Sequence, residues 1–152
     1  MKNMTKWYGF VVFLLAANGV FAQQKKPSLF AAYPNQITCS EQQLNQLFTA
    51  NTGNTVSLVL PGNLLLQGQV KNKITKYGQI QTLAIQLPAF GNILLSVSRH
   101  QNAQNHTIYS ARLLSNQFAD GYQLKRNSNG LYQFEKIETE KLLPVCEAPV
   151  IR

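Results

Sequence analysis

From Val56 to Ile137 the apolar residues recur at every second position, in short runs that each end on a turn signal. A pleated strand sends alternate side chains to opposite faces, so a chain patterned this way must be built from half-buried strands. Val56–Leu60 is a short apolar run closed by Pro61-Gly62-Asn63. In Leu64–Ile74, Leu64, Leu66, Gly68, Val70 and Ile74 share one face, and Gln67, Gln69, Lys71 and Lys73 the other. Gln79–Leu87 places Leu83, Ile85 and Leu87 in phase, and Ile93–Arg99 does the same with Ile93, Leu95 and Val97. Tyr109, Ala111 and Leu113 mark Thr107–Leu114. Tyr122 and Leu124 mark the run after Asp120-Gly121, and Tyr132 and Phe134 mark Leu131–Ile137. Asn129-Gly130 readily adopts the positive φ angles of a tight hairpin turn. Leu142-Leu143 is a last candidate strand.

One segment carries the helical period instead. Ser40 is an expected N-cap with Gln43 at the third helical position, and Leu44, Leu47 and Phe48 form one stripe. The helix is expected over Glu41–Thr49, ended by Asn51-Thr52-Gly53-Asn54. The links between strands are too short for helical crossovers, so pairing should be antiparallel and sequential. The expected fold is mainly β: an N-terminal helix followed by a seven- to eight-stranded antiparallel meander. It should form a small barrel or strongly coiled sheet, with a β-sandwich as the alternative.

The first residues concern address. Lys2 and Lys6 precede an apolar run from Trp7 to Ala17, and Val20-Phe21-Ala22 offers small residues where a signal peptidase cleaves. Residues 1–22 read as a signal peptide cleaved after Ala22, which sends the chain to the periplasm or the extracellular space. No later run is long enough to be a transmembrane segment. The expected organisation is then an extended N-terminal segment at 23–38, one β-rich domain with its helix at 39–147, and a tail at 148–152. Export favours oxidation, so Cys39 and Cys146 are expected to form one disulfide, worth on the order of 4–5 kcal/mol by loop entropy.

Charge bounds the function. The chain has 14 Lys and Arg against 6 Asp and Glu, a net charge of +8 that becomes +6 once Lys2 and Lys6 are removed. Six carboxylates are little material for a glycosidase pair or a calcium site. Ser96, Ser98, His100 and Asp120 contain the residue types of a hydrolytic triad without its Gly-x-Ser-x-Gly elbow, and a small hydrolase is the least favoured reading. His100 and His106 fall short of a metal ligand set, and no cofactor is expected. Asn105-His106-Thr107 fits the N-glycosylation pattern.

The basic residues are the better candidates. Lys71, Lys73, Arg112 and Lys125 are expected on the outer faces of their strands, rimmed by Arg99 and Arg126. Phe90 and Phe118 lie in expected loops, where aromatics can anchor a partner. The aromatics of the strands look inward, so nucleic acid is disfavoured. The function expected is a non-enzymatic exported module that binds an acidic or polar protein or glycan. The alternatives are a barrel holding an apolar ligand among Leu66, Val70, Leu95, Tyr109 and Phe134, or a structural or assembly protein.

Overall fold

The computed structural model describes residues 25–142. Residues 1–22, Leu143, Cys146 and the 148–152 tail lie outside them. The described chain is one eight-stranded antiparallel sheet, curled strongly into a half-barrel, with a single α-helix. In chain order it runs β1 Gln36–Cys39, α1 Glu41–Leu47, β2 Thr55–Leu60, β3 Leu64–Lys76, β4 Ile80–Leu87, β5 Ile93–Gln101, β6 Thr107–Leu114, β7 Asp120–Arg126 and β8 Tyr132–Glu138. The spatial order is β1-β8-β7-β6-β5-β4-β3-β2. The meander expected from the alternation is therefore present, and the inward sets named above are buried, Ile74 excepted.

Strand β1 is an addition. Gln36–Thr38 falls at the end of the segment expected to be extended and Cys39 at the start of the expected domain, with no strand expected there, yet Gln36–Cys39 pairs with β8 through Gln36↔Glu135 to Cys39↔Tyr132. Only Ile37 and Cys39 turn inward, too few to establish a period. Because β1 and β2 are the two sheet edges and follow each other in the chain, α1 has to carry the chain between them. It starts on Ser40 with a complete capping box to Gln43. The Gln43 side chain donates to Val59 O on the free edge of β2 at 2.8 Å. Leu44 and Leu47 are buried against the sheet.

The opposite end is closed by residues 27–34. Asp120, buried at the start of β7, accepts hydrogen bonds from Ser28 Oγ, from Leu29 N at 2.7 Å and from Phe30 N at 3.0 Å. Lys136 Nζ donates to Phe30 O at 2.8 Å and Tyr33 O at 2.6 Å. These bonds satisfy backbone groups that the segment would otherwise leave unpaired. Phe30 is fully buried and sits 5.1 Å from Tyr122 and 5.5 Å from Phe90, centroid to centroid. The interior is thus filled from both ends. Leu66, Val70, Leu95, Tyr109 and Phe134 belong to one continuous cluster with Phe30, Leu44 and Phe48.

Candidate functional site

The structure divides the six expected basic residues into two groups. A β-bulge lies between Val70 and Asn72 of β3, and one extra residue inverts the side-chain phase beyond it. Lys71 occupies the bulge and is exposed. Lys73 pairs with buried Leu83 and therefore faces inward, while Ile74 pairs with Thr82 and is 41% exposed. This corrects the shared outer face expected of Lys71 and Lys73 and the inward position expected of Ile74. Lys73 Nζ donates to Phe48 O and Ala50 O, both at 2.9 Å, at the C-terminal end of α1, where a helix presents unpaired carbonyls and partial negative charge.

Arg99 and Arg126 also turn toward the helix rather than rimming an outer patch. The Arg99 guanidinium lies 4.6 Å over the Phe48 ring and donates to Asn45 Oδ1 at 2.5 Å and Gln81 Oε1 at 2.9 Å. Arg126 lies 3.9 Å from Glu41 at the start of α1 and 5.8 Å over Tyr132. Three of the six cations therefore clasp one short helix along its length. Lys125 does face outward, but it is paired with Glu135 at 2.6 Å.

Both aromatic candidates are drawn in. Phe90 is buried against Phe30 and Tyr33. Phe118 is partly buried and packs on the core beside Gly91. Neither is an exposed anchor, because closing the barrel end buries more apolar area than display would. The triad residue types are likewise apart. His100 pairs with Ile108 toward one end of the sheet, and Asp120 pairs with Glu138 at the other. Among the described residues no group of three His, Cys, Asp or Glu could hold a metal.

Arg112 remains. It faces outward on β6 between Ser96 and Gln123, and among the described residues it has no hydrogen-bond or ion-pair partner. It borders a cleft of about 270 Å3 lined by Ser96, Ser98, Ser110, Ala111, Gln123 and Leu124. The cleft marks a break in the sheet. Strands β6 and β7 pair only at Arg112↔Gln123 and Leu113↔Tyr122, whereas β5 and β6 pair over eight positions. At the closed end the strands are pressed together: a Cβ on Gly121 would lie 2.4 Å from Leu113 O. Beyond Arg112 they part. The Tyr132 hydroxyl then reaches from β8 to accept the Tyr109 N–H at 3.0 Å.

A wider hollow of about 910 Å3 beside β1 and β8 is the less promising place. Its charges are already engaged: Asp120 and Lys136 with the N-terminal segment, Glu135 with Lys125, and Glu138 with Lys141 at 3.0 Å. No family model, no curated protein and no solved structure matches the chain. Function has to be read from the surface itself. The sequence itself marks this face: no Asp or Glu occurs between Glu41 and Asp120. That stretch contains Lys71, Lys73, Lys76, Arg99 and Arg112. Strands β2 to β6 therefore form a half-sheet with no carboxylate.

Proposed function

We propose that the protein is an exported, non-enzymatic binding module that takes an acidic, polar partner on the outer face of its sheet. The observation that carries this reading is Arg112, a guanidinium with no partner among the described residues, beside a hydroxyl-lined cleft in a half-sheet without carboxylates. A positive region with no counter-charge of its own attracts anions and offers no competing acceptor. The continuous apolar cluster that joins the inward strand residues to Phe30, Leu44 and Phe48 supports an outer site over a lumen ligand. Residues 1–22 supply the export signal in this reading, and a Cys39–Cys146 bridge would suit the oxidising compartment they lead to.

Retention on immobilised polyanions tests the proposal. The mature chain should bind polygalacturonate, heparin or polyglutamate at low salt, and Arg112→Glu should weaken retention more than Lys125→Glu. Equal retention of Arg112→Glu and the parent protein on every polyanion would overturn it.

A further inference from the structure

We infer that the opening between β6 and β7 is a site for one acidic sugar unit, its carboxylate on Arg112 and its hydroxyls on Ser98, Ser110 and Gln123. This rests on the acidic-partner reading above and names the partner's chemistry. The first support is the break in the ladder, which is independent of the side chains around it. Ala111 and Leu124 belong to the inward-facing sets of their strands, yet both line an outer cleft. They are reached from outside only because the strands separate there. The Tyr109 N–H of β6, beyond the last β6–β7 pair, is bonded instead to the hydroxyl of buried Tyr132. The result is a short slot of about 270 Å3, just below the usual range of roughly 300–1,000 Å3 for drug-sized ligands. A single ring fits that scale; a folded partner does not enter it.

The second support is the donor and acceptor set. Each serine hydroxyl gives one hydrogen and accepts on two lone pairs, and the Gln123 amide offers both functions. Such groups match a polyhydroxylated ligand. The Ser98 hydroxyl is oriented from behind by Thr82 Oγ1 at 2.9 Å. Arg112 presents a planar fork suited to a carboxylate, and no neighbouring acid competes for it. The same walls fit a protein partner poorly. Interface cores are enriched in aromatic side chains and depleted in Ser and Ala, and this slot offers three serines and an alanine. Nucleic-acid readers stack bases on exposed aromatics, whereas Tyr109, Tyr122, Tyr132 and Phe134 are buried.

Calorimetry on the mature chain with trigalacturonic acid as the probe tests the site, with maltotriose as the neutral control and hexaglutamate as the acidic peptide control. Trigalacturonic acid should bind and maltotriose should not. Arg112→Ala should weaken binding roughly tenfold or more, and Arg112→Lys nearly as much, because an ammonium cannot form the bidentate pair. Arg112 is exposed, so neither change disturbs the core. Hydrogen exchange provides a second readout: the probe should protect amides in 108–111 and 124–126 of the parent protein and not of Arg112→Ala. Equal binding of hexaglutamate with the same dependence on Arg112 would overturn the sugar assignment and leave the acidic-partner reading standing. Absence of binding to both acidic probes at low salt would overturn both.

Discussion

Lys71 and Lys73 stand two residues apart in one strand, and the structure gives them opposite fates. Lys73→Ala removes two short charged hydrogen bonds, to Phe48 O and Ala50 O, and a longer one to Asn51 Oδ1 at 3.4 Å, and leaves the C-terminal carbonyls of α1 without their cation. A hydrogen bond to a charged group contributes about 1.5–3 kcal/mol net, and a cation at a helix C-terminus about 0.3–1 kcal/mol. The site is partly open to water, which can resolvate both carbonyls, so the expected loss is about 2 kcal/mol in total. With a urea slope of about 1.5–2 kcal/mol/M for a chain of this size, the midpoint should fall by about 1 M. Lys71→Ala is the internal control. Its ammonium reaches only Gln69 Oε1 on an exposed face, and its loss should stay within about 0.5 kcal/mol. Equilibrium urea unfolding followed by circular dichroism decides the matter. Equal midpoints for the two variants would refute the inversion of phase at the bulge and the clasp built on it. Polyanion binding should move little with either change relative to Arg112→Ala, which separates the stabilising cations from the one proposed to bind.

Three further outcomes follow from local geometry. Tyr77 holds φ +53° in the turn between β3 and β4 and is 90% exposed; Tyr77→Asn should stabilise the fold by about 0.5–1 kcal/mol, because Asn tolerates that conformation far better, and a fall in melting temperature would contradict the turn. Gly68→Ala places a Cβ 2.1 Å from Gln86 O, so β3 and β4 must separate; a loss of about 1–3 kcal/mol is expected, and an unchanged midpoint would show that the strands do not approach so closely. Burial pushes the Cys39 thiol from its ordinary 9.0 up to about 12, and burial, then the charges of Asp120 and Tyr33, push Tyr122 from 10.0 up to about 12. Both groups hold their protons more tightly folded than unfolded, so their contributions are complete below the ordinary values and are lost as pH rises toward 12. Stability of the reduced protein should begin to fall near pH 9. If Cys39 is bridged to Cys146, the unreduced protein should hold until nearer pH 10, and identical onsets with and without reductant would argue against the bridge.

The alternation reveals the meander because each strand buries one face only, so sequence parity and burial coincide from Leu83 to Phe134. It fails where parity changes without a local mark. Lys71-Asn72 is polar on both sides of the bulge, and Lys73 and Ile74 simply exchange faces there. Strand β1 is hidden for another reason. Its pairing with β8 joins positions about a hundred residues apart, and four residues carry no usable period. The loop aromatics illustrate a third limit. Phe90 beside Pro88 and Gly91 announces a turn, but whether the ring points out or in depends on Phe30, which arrives from the far N-terminal segment.

The same limit governs the cations, and it bears directly on function. A count of basic residues treats Lys73, Arg99, Arg126 and Lys136 as equivalent to Arg112, yet the first four are committed to carbonyls, an aromatic ring or a carboxylate that close the half-barrel. Closing it demands such groups. An open curled sheet bridged by one seven-residue helix and a short N-terminal segment exposes helix-end and loop carbonyls, and long cationic side chains can satisfy these while burying their stems. What is left over is therefore more informative than the total. Among the described residues Lys76 and Arg112 have no hydrogen-bond or ion-pair partner and Lys71 reaches only the Gln69 side chain, and all three lie in the half-sheet without acids. Only Arg112 adjoins a place where the strand ladder opens. A sheet gains hydrogen bonds by zipping β6 to β7 along their length; this one stops after two pairs, and the Tyr109 N–H beyond them goes to the Tyr132 hydroxyl instead. That local loss of pairing, set beside a guanidinium with no partner among the described residues, is why the proposed site is the outer cleft.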